Sequence, residues 1–343
     1  MDELAESLGR SPELFPYGLN VRDDTVAFIP LSRTDYAQAS FLDGRLLTPQ
    51  TIVQTIPWPE VAAAIEAAQL AERCRFIFHI GHVGSTLLSR LIGAHPGAFG
   101  LREPLVLRTF AQPLPLSGED AEARLGGCLR LLSRTFDAGQ CAVVKATSFV
   151  SELAAELLSR ASAPKALMMH VSPESYLATI LAGPNSRQEA KALAPSRLRR
   201  LHRRIGQEAW QLESLTEGQL SALGWACEMS ALAQAKRTAG ERALKIDFDR
   251  FLARPSSLLR DALRHLDVDA SAAQVDAILA GPDMHRYSKA PEHAYDAALR
   301  LEVLNEARAT HGAEIRRGLD WLDRGAAQYA PVQDAVIFGQ AER

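Results

Sequence analysis

The apolar positions of this chain gather into short continuous runs set between longer stretches of helical periodicity. Four such runs are RFIFHI at 75–80, CAVVK at 141–145, ALMMHV at 166–171 and ALKID at 243–247. A fifth, shorter run at 99–102 closes on Glu103-Pro104. Runs of this length, flanked by turn residues, read as strands buried on both faces of a parallel sheet. Between them lie helical patterns: 60–72, 105–137 with a loop at 113–120, 151–160 with Ser151 as N-cap, 172–181 with Pro173 early in the helix, and 220–236. A further helix runs from Arg254-Pro255 to Leu266, and periodicity resumes from Tyr295 to Leu322. Strands alternating with helices predict an α/β fold: a three-layer sandwich with a central parallel sheet of about five strands and helices on both faces, joined by right-handed crossovers. Residues 1–72, with one strand at 25–31 and the 60–72 helix, predict an appendage packed on a main domain spanning 73–330; 331–343 reads as a tail.

The stretch that organises the rest is RFIFHIGHVGSTLLSRLIG, 75–93. It reads as a buried strand, a tight turn with Gly81 and Gly84, and a helix starting near Ser85. Glycines let the backbone come close to a ligand, and the first helical N–H groups have no intrahelical partner. Those groups and the helix dipole favour an anion, and the Ser85 and Thr86 hydroxyls add donors. This is the pattern of a phosphate-binding loop. The nucleoside-triphosphatase form, G-x-x-x-x-G-K-[ST], does not fit: the spacing here is shorter and no lysine follows Gly84.

Composition changes the picture only by exclusion. Among 343 residues, 47% are hydrophobic and 23% charged, which is ordinary for a globular protein. A net charge of −3 argues against a general nucleic-acid binder. No apolar run reaches the roughly 18 residues of a membrane span, and the acidic start MDELAESLGR does not read as a secretory signal. The four cysteines are widely spaced, without metal-ligand spacing, and read as reduced thiols of a cytoplasmic protein.

The loop resembles the 5′-phosphosulfate loop of the sulfotransferase family, P-K/R-S-G-T-T-L-L. On that match His82 takes the basic position, Gly84 the glycine, and Ser85 and Thr86 the hydroxyl pair, with Gly81 and Val83 completing the loop. Glu103 stands at a strand end one βα unit later, in an R-E-P context, and is the candidate general base; the alternative is an ion pair with Arg102 or Arg108. Lys145, at the mouth of the next strand, is the candidate cation for the transferring group, or the partner of Glu103. The family's 3′-phosphate element, V-R-D-P-R-x-x-x-x-S, is matched by Ser172-Pro173 and Thr179, but Val171 stands where the arginine belongs. The late element V-x-Y-E-D-L-x-x-D-P is matched by the segment from Ile246-Asp247-Phe248-Asp249 to Arg254-Pro255. Arg286 and Lys289, in a late basic loop, correspond to residues that cover the nucleotide.

A basic run from Arg187 to Arg204 reads either as a solvated helix face or as an arm bringing positive charge to the nucleotide 3′-phosphate or to an anionic acceptor; Arg187 and Arg197 are its candidates. The resemblance implies a sulfotransferase using 3′-phosphoadenosine-5′-phosphosulfate, with no metal, acting on a hydroxyl or amine of a small molecule, peptide or carbohydrate. The alternatives are a Mg-ATP-dependent kinase or triphosphatase on a modified loop, and a catalytically silent nucleotide binder.

Overall fold

Among the described residues, eight strands form two sheets. The computed structural model describes residues 2–112, 116–285 and 296–340. Strands β1 (Leu14–Asn20), β2 (Thr25–Pro30) and β3 (Gln54–Pro57) form an antiparallel sheet in the order β1-β2-β3. Strands β4 (Arg75–His79), β5 (Ala98–Arg102), β6 (Cys141–Lys145), β7 (Ala166–His170) and β8 (Ala243–Asp247) form a five-stranded sheet in the order β5-β6-β4-β7-β8, parallel throughout. The protein is an α/β sandwich with this parallel sheet at its centre and helices flanking it.

The five central strands are short, and β5 and β7 are buried at every residue. That is why they read as apolar runs rather than as alternating ones. The chain leaves β4 for β5 and β6 on one side, then crosses to β7 and β8 on the other. β4 therefore lies at the point where the strand order reverses, where open α/β sheets carry a crevice beyond the strands' carboxyl ends. All five strands end there on a polar side chain: His79, Arg102, Lys145, His170 and Asp247.

The two sheets share one continuous apolar core, which reaches from Leu8 through Phe15 and Phe28 to Phe76, Leu129 and Phe338. The first 72 residues hold more than one strand and one helix. β1 escaped the sequence because Pro16 and Gly18 break its pattern; the register shifts between them. β3 is four residues long and ends on a proline. The segment expected as a tail contains the helix Ala330–Gly339, with Val332, Ala335 and Phe338 buried. Ser151 does not cap a helix. It lies in a 3-10 turn, Ser148–Leu153, that precedes the helix Ala154–Ser159. Among the described residues no helix is long and apolar enough to cross a membrane.

Candidate functional site

The β4 strand runs into its turn through Ile80-Gly81-His82-Val83-Gly84, and the helix Ser85–Gly93 follows. Gly84 adopts a left-handed conformation (φ 65°), and a Cβ there would overlap the ring of Phe248, the first residue after β8. Only glycine meets both demands. Gly81 is also left-handed. Three side chains pin the backbone before the turn. The Gly81 amide donates to His79 Nδ1 at 3.0 Å, the Ser151 hydroxyl donates to the His79 carbonyl at 3.3 Å, and the Tyr176 hydroxyl donates to the Ile80 carbonyl at 3.4 Å. Val83 is fully buried, so it faces a ligand only through its backbone.

The helix start offers an anion its unpaired amides. Ser85 and Thr86 are buried there, and Thr86 Oγ1 has no hydrogen-bond partner among the described residues. A buried hydroxyl in that state costs free energy unless something outside the chain satisfies it.

Glu103 follows β5 in a left-handed conformation (φ 53°) directly before Pro104, a position that disfavours it. His82 in the loop is strained in the same sense (φ 54°). Two contacts hold Glu103. Its amide donates to the Lys145 carbonyl at 2.7 Å, and its carboxylate is ion-paired with the Lys145 ammonium. Arg108 Nη2 lies 3.6 Å from the other carboxylate oxygen, and His79 Nε2 lies 4.0 Å from Oε1. Because His79 Nδ1 accepts from Gly81, the ring proton of neutral His79 sits on Nε2, facing Glu103. His79 thus stands between the loop and the Glu103–Lys145 pair.

The N-terminal region reaches this cluster, which the sequence did not reveal. Leu42 pairs with the end of β5: its amide donates to the Arg102 carbonyl at 2.6 Å and its carbonyl accepts from Leu105 at 2.9 Å. The next residue, Asp43, accepts from Arg108 at 2.7 Å and from Arg45. Burial alone would raise the Asp43 carboxyl; the Arg45 and Arg108 guanidiniums outweigh it and hold the group below its usual range. Phe41 presents its ring to the Lys145 ammonium, 5.7 Å from the centroid. The Asp43-Gly44 pair marks a turn, but nothing in its spacing placed it beside a strand about 60 residues later. Polar His79 ending an apolar strand was the one readable signal.

The remaining candidates divide. Glu103 and Lys145 meet directly, and Lys145 is 0% exposed. His82 lies in the loop, but its Nε2 faces Glu189 at 3.2 Å. Arg102, an alternative partner for Glu103, turns away instead, donating to the carbonyls of Tyr36, Ala37 and Ala39. Ser172 caps the helix Pro173–Ala182, accepting from the Ser175 amide at 3.2 Å, and Thr179 donates back to the Ser175 carbonyl at 2.7 Å. Arg286 and Lys289 lie outside the described residues.

The basic run is neither wholly exposed nor wholly buried: Arg199 and Arg203 are exposed. It is one helix, Pro184–Ile205, in which Arg197 and Arg200 are buried. Arg197 donates to Glu228 at 3.3 Å and Arg200 at 2.7 Å, while Arg204 pairs with Glu152. Arg187 lies 3.6 Å from Glu217.

No protein-family model and no curated protein matches the chain. Among solved structures it is similar to the sulfotransferase domain of the curacin biosynthetic pathway, at 15% identity and a TM-score of 0.40, over 74% of this chain and 98% of that one. It is similar to a sulfotransferase from Alicyclobacillus acidocaldarius at 16% identity and a TM-score of 0.38, over 79% of this chain and 98% of that one. It is also similar to a sulfotransferase from Mycobacterium avium at 12% identity and a TM-score of 0.39, over 90% of this chain and 96% of that one.

Proposed function

We propose that this protein transfers a sulfuryl group from 3′-phosphoadenosine-5′-phosphosulfate to a hydroxyl or amine acceptor. The observation that carries the reading is the buried Thr86 hydroxyl, unpartnered among the described residues, at a helix N-terminus on the same end of the sheet as the Glu103–Lys145 carboxylate–ammonium pair. In this reading the Gly84, Ser85 and Thr86 amides and the two hydroxyls hold the 5′-phosphosulfate. When bound, the donor supplies a sulfur atom open to in-line attack and a phosphate leaving group. Glu103 takes the acceptor's proton as the acceptor oxygen or nitrogen bonds to sulfur. The bond between sulfur and the bridging oxygen breaks, and its electron pair stays on the phosphate held by the loop. Lys145 and Arg108 hold the Glu103 carboxylate in place, and His79 stands between that carboxylate and the loop. His82, Gly81 and Val83 shape the loop.

Val171 is buried and gives the nucleotide 3′-phosphate no charge, so that contact falls to other groups; Ser172, Thr179, Arg286 and Lys289 remain the candidates.

The test is calorimetric titration with 3′,5′-adenosine bisphosphate, beside ATP with and without Mg²⁺. The bisphosphate is expected to bind without regard to Mg²⁺. Thr86→Val should weaken it about tenfold, the worth of one hydrogen bond to a charged group, and leave stability equal or higher because an unsatisfied buried hydroxyl is gone. ATP binding that requires Mg²⁺, without bisphosphate binding, would replace this reading with a kinase or triphosphatase. Bisphosphate binding without transfer to any acceptor would leave a silent nucleotide binder.

A further inference from the structure

A cleft of about 740 Å³ opens between the 3-10 turn Ser148–Leu153 and the helix Pro184–Ile205. That is the size of a small-molecule site. Its walls are mostly apolar: Phe110, Phe149, Leu153 and Leu193. It belongs to the β5–β6 flank of the sheet. Phe110 ends the helix Leu105–Phe110, which starts two residues after Glu103, and Phe149 follows Ser148, which lies beside Gly81. On the other flank, Phe248 closes on Gly84 from the end of β8, next to β7 and the helix that Ser172 caps. The loop therefore sits between two flanks, and the cleft is on the side of the carboxylate.

The cleft is positively charged in a specific way. Glu152 is its one acidic lining residue among those described, and Arg200 and Arg204 both engage it. Arg199 and Arg203 lie one helical turn apart, line the same cleft, and are exposed. Neither has an acidic partner among the described residues, whereas Arg187, Arg197, Arg200 and Arg204 on the same helix each do. Two guanidiniums left open at an apolar cleft suit the bidentate recognition of a carboxylate, sulfate or phosphate.

The geometry points to this cleft as the acceptor site, selecting an elongated acceptor with a flat apolar body and an anionic group remote from its reacting hydroxyl. The assignment rests on the sulfuryl-transfer reading for the hydroxyl end only. The helix from Leu105 to Phe110 rises about 7.5 Å along its axis, from the second residue after Glu103 to the cleft wall. The hydroxyl lies at Glu103, the apolar body against Phe110 and Phe149, and the anion between Arg199 and Arg203.

A probe of matching length is 4′-hydroxybiphenyl-4-carboxylate, with its methyl ester as the uncharged control. Both are titrated calorimetrically into the full chain, with and without saturating 3′,5′-adenosine bisphosphate, and both are assayed as acceptors. The acid is expected to bind at least tenfold more tightly than the ester. The double variant Arg199→Ala/Arg203→Ala should abolish that preference while leaving ester and bisphosphate affinity unchanged, which also shows that it is folded. Phe149→Ala should weaken acid and ester alike. Equal binding of acid and ester, no binding of either, or a preference that survives the double variant would each overturn the proposal. Arginine-dependent acid binding in a protein that does not bind the bisphosphate would keep the cleft as an organic-anion site and discard sulfuryl transfer instead.

Discussion

Two buried ion clusters in this protein are built from the same chemistry and lie in unlike surroundings. In one, Glu103 and Asp43 meet Lys145, Arg108 and Arg45 at the mouth of the parallel sheet. In the other, Glu228 and Glu152 meet Arg197, Arg200 and Arg204 where the Pro184–Ile205 helix packs on the helix Glu217–Ala239. Each holds a carboxylate that burial disfavours. The helix cluster sits on regular secondary structure, and Glu228 accepts three arginine bonds within 3.3 Å. Burial would raise the Glu228 carboxyl; Arg200 and Arg197 together hold it below its usual range. The strand-mouth cluster hangs on a strained residue, Glu103, and lies beside His79, which accepts from the Gly81 amide of a loop with an unsatisfied hydroxyl. Buried charge by itself therefore marks no site. Backbone strain at Glu103 and His82 beside the charge is what separates the two, since the helix cluster also leaves a buried atom, Arg200 Nε, without a hydrogen bond among the described residues.

The largest effect that tests this contrast is Glu103→Gln. Transfer should fall about 10²–10⁴-fold, the usual contribution of a positioned general base, with bisphosphate affinity unchanged. Full activity in this variant would move the strand-mouth cluster into the structural class.

Next comes Glu228→Ala, which strands two buried arginines and should cost about 3–5 kcal/mol of stability by denaturant titration. Bisphosphate binding per folded molecule should persist. A loss of binding larger than the loss of folded protein would mean that the helix cluster, too, serves the site.

Gly84→Ala forces a left-handed alanine, at about 1–2 kcal/mol, and drives its methyl into Phe248. The expected result is a folded protein whose bisphosphate affinity is lost. Unchanged affinity would show that the loop geometry is not the binding element.

His170 ends β7 outside both clusters, so it provides a baseline. Burial, aided by the nearby Lys245, lowers its pKa to about 4 from 6.5. The unfolded chain then binds more protons than the folded one between those values, so stability is full above pH 6.5 and is lost as pH falls toward 4. Wild type should lose about 2 kcal/mol more than His170→Leu between pH 7 and pH 5 by chemical denaturation. Equal losses would show that His170 is protonated in the fold.

Much of the fold was legible. CAVVK and ALKID are strands β6 and β8 with the bounds their patterns predict; β6, buried at four of its five residues, shows as an apolar run ending on a polar residue. The helix from Pro173 was legible because Ser-Pro is a strong start signal. The run of arginines was legible only in part because charge alone does not tell exposure: Arg199 and Arg203 are exposed, whereas Arg197 and Arg200 are buried. Arg197 and Arg200 are buried only because Glu228, on another helix, lies opposite them. Ser151 has the look of a cap, yet its hydroxyl is taken by the His79 carbonyl across the sheet.

Local rules in the sequence thus determined the strand–turn–helix at Gly81–Thr86, the parallel α/β class and the strand ends that carry Glu103 and Lys145. Each depends on near neighbours: apolar runs, glycine at a positive φ, a proline after a strand. Only the tertiary structure decided which charges pair. Asp43 with Arg108, Glu103 with Lys145, and Arg200 with Glu228 join residues from 28 to 65 positions apart. It also decided which charges stay open, as Arg199 and Arg203 do. The reason is physical. Hydrogen bonds and burial that act along a helix or strand are written in adjacent residues, whereas the energy of a buried charge depends on whatever the fold brings within a few ångströms.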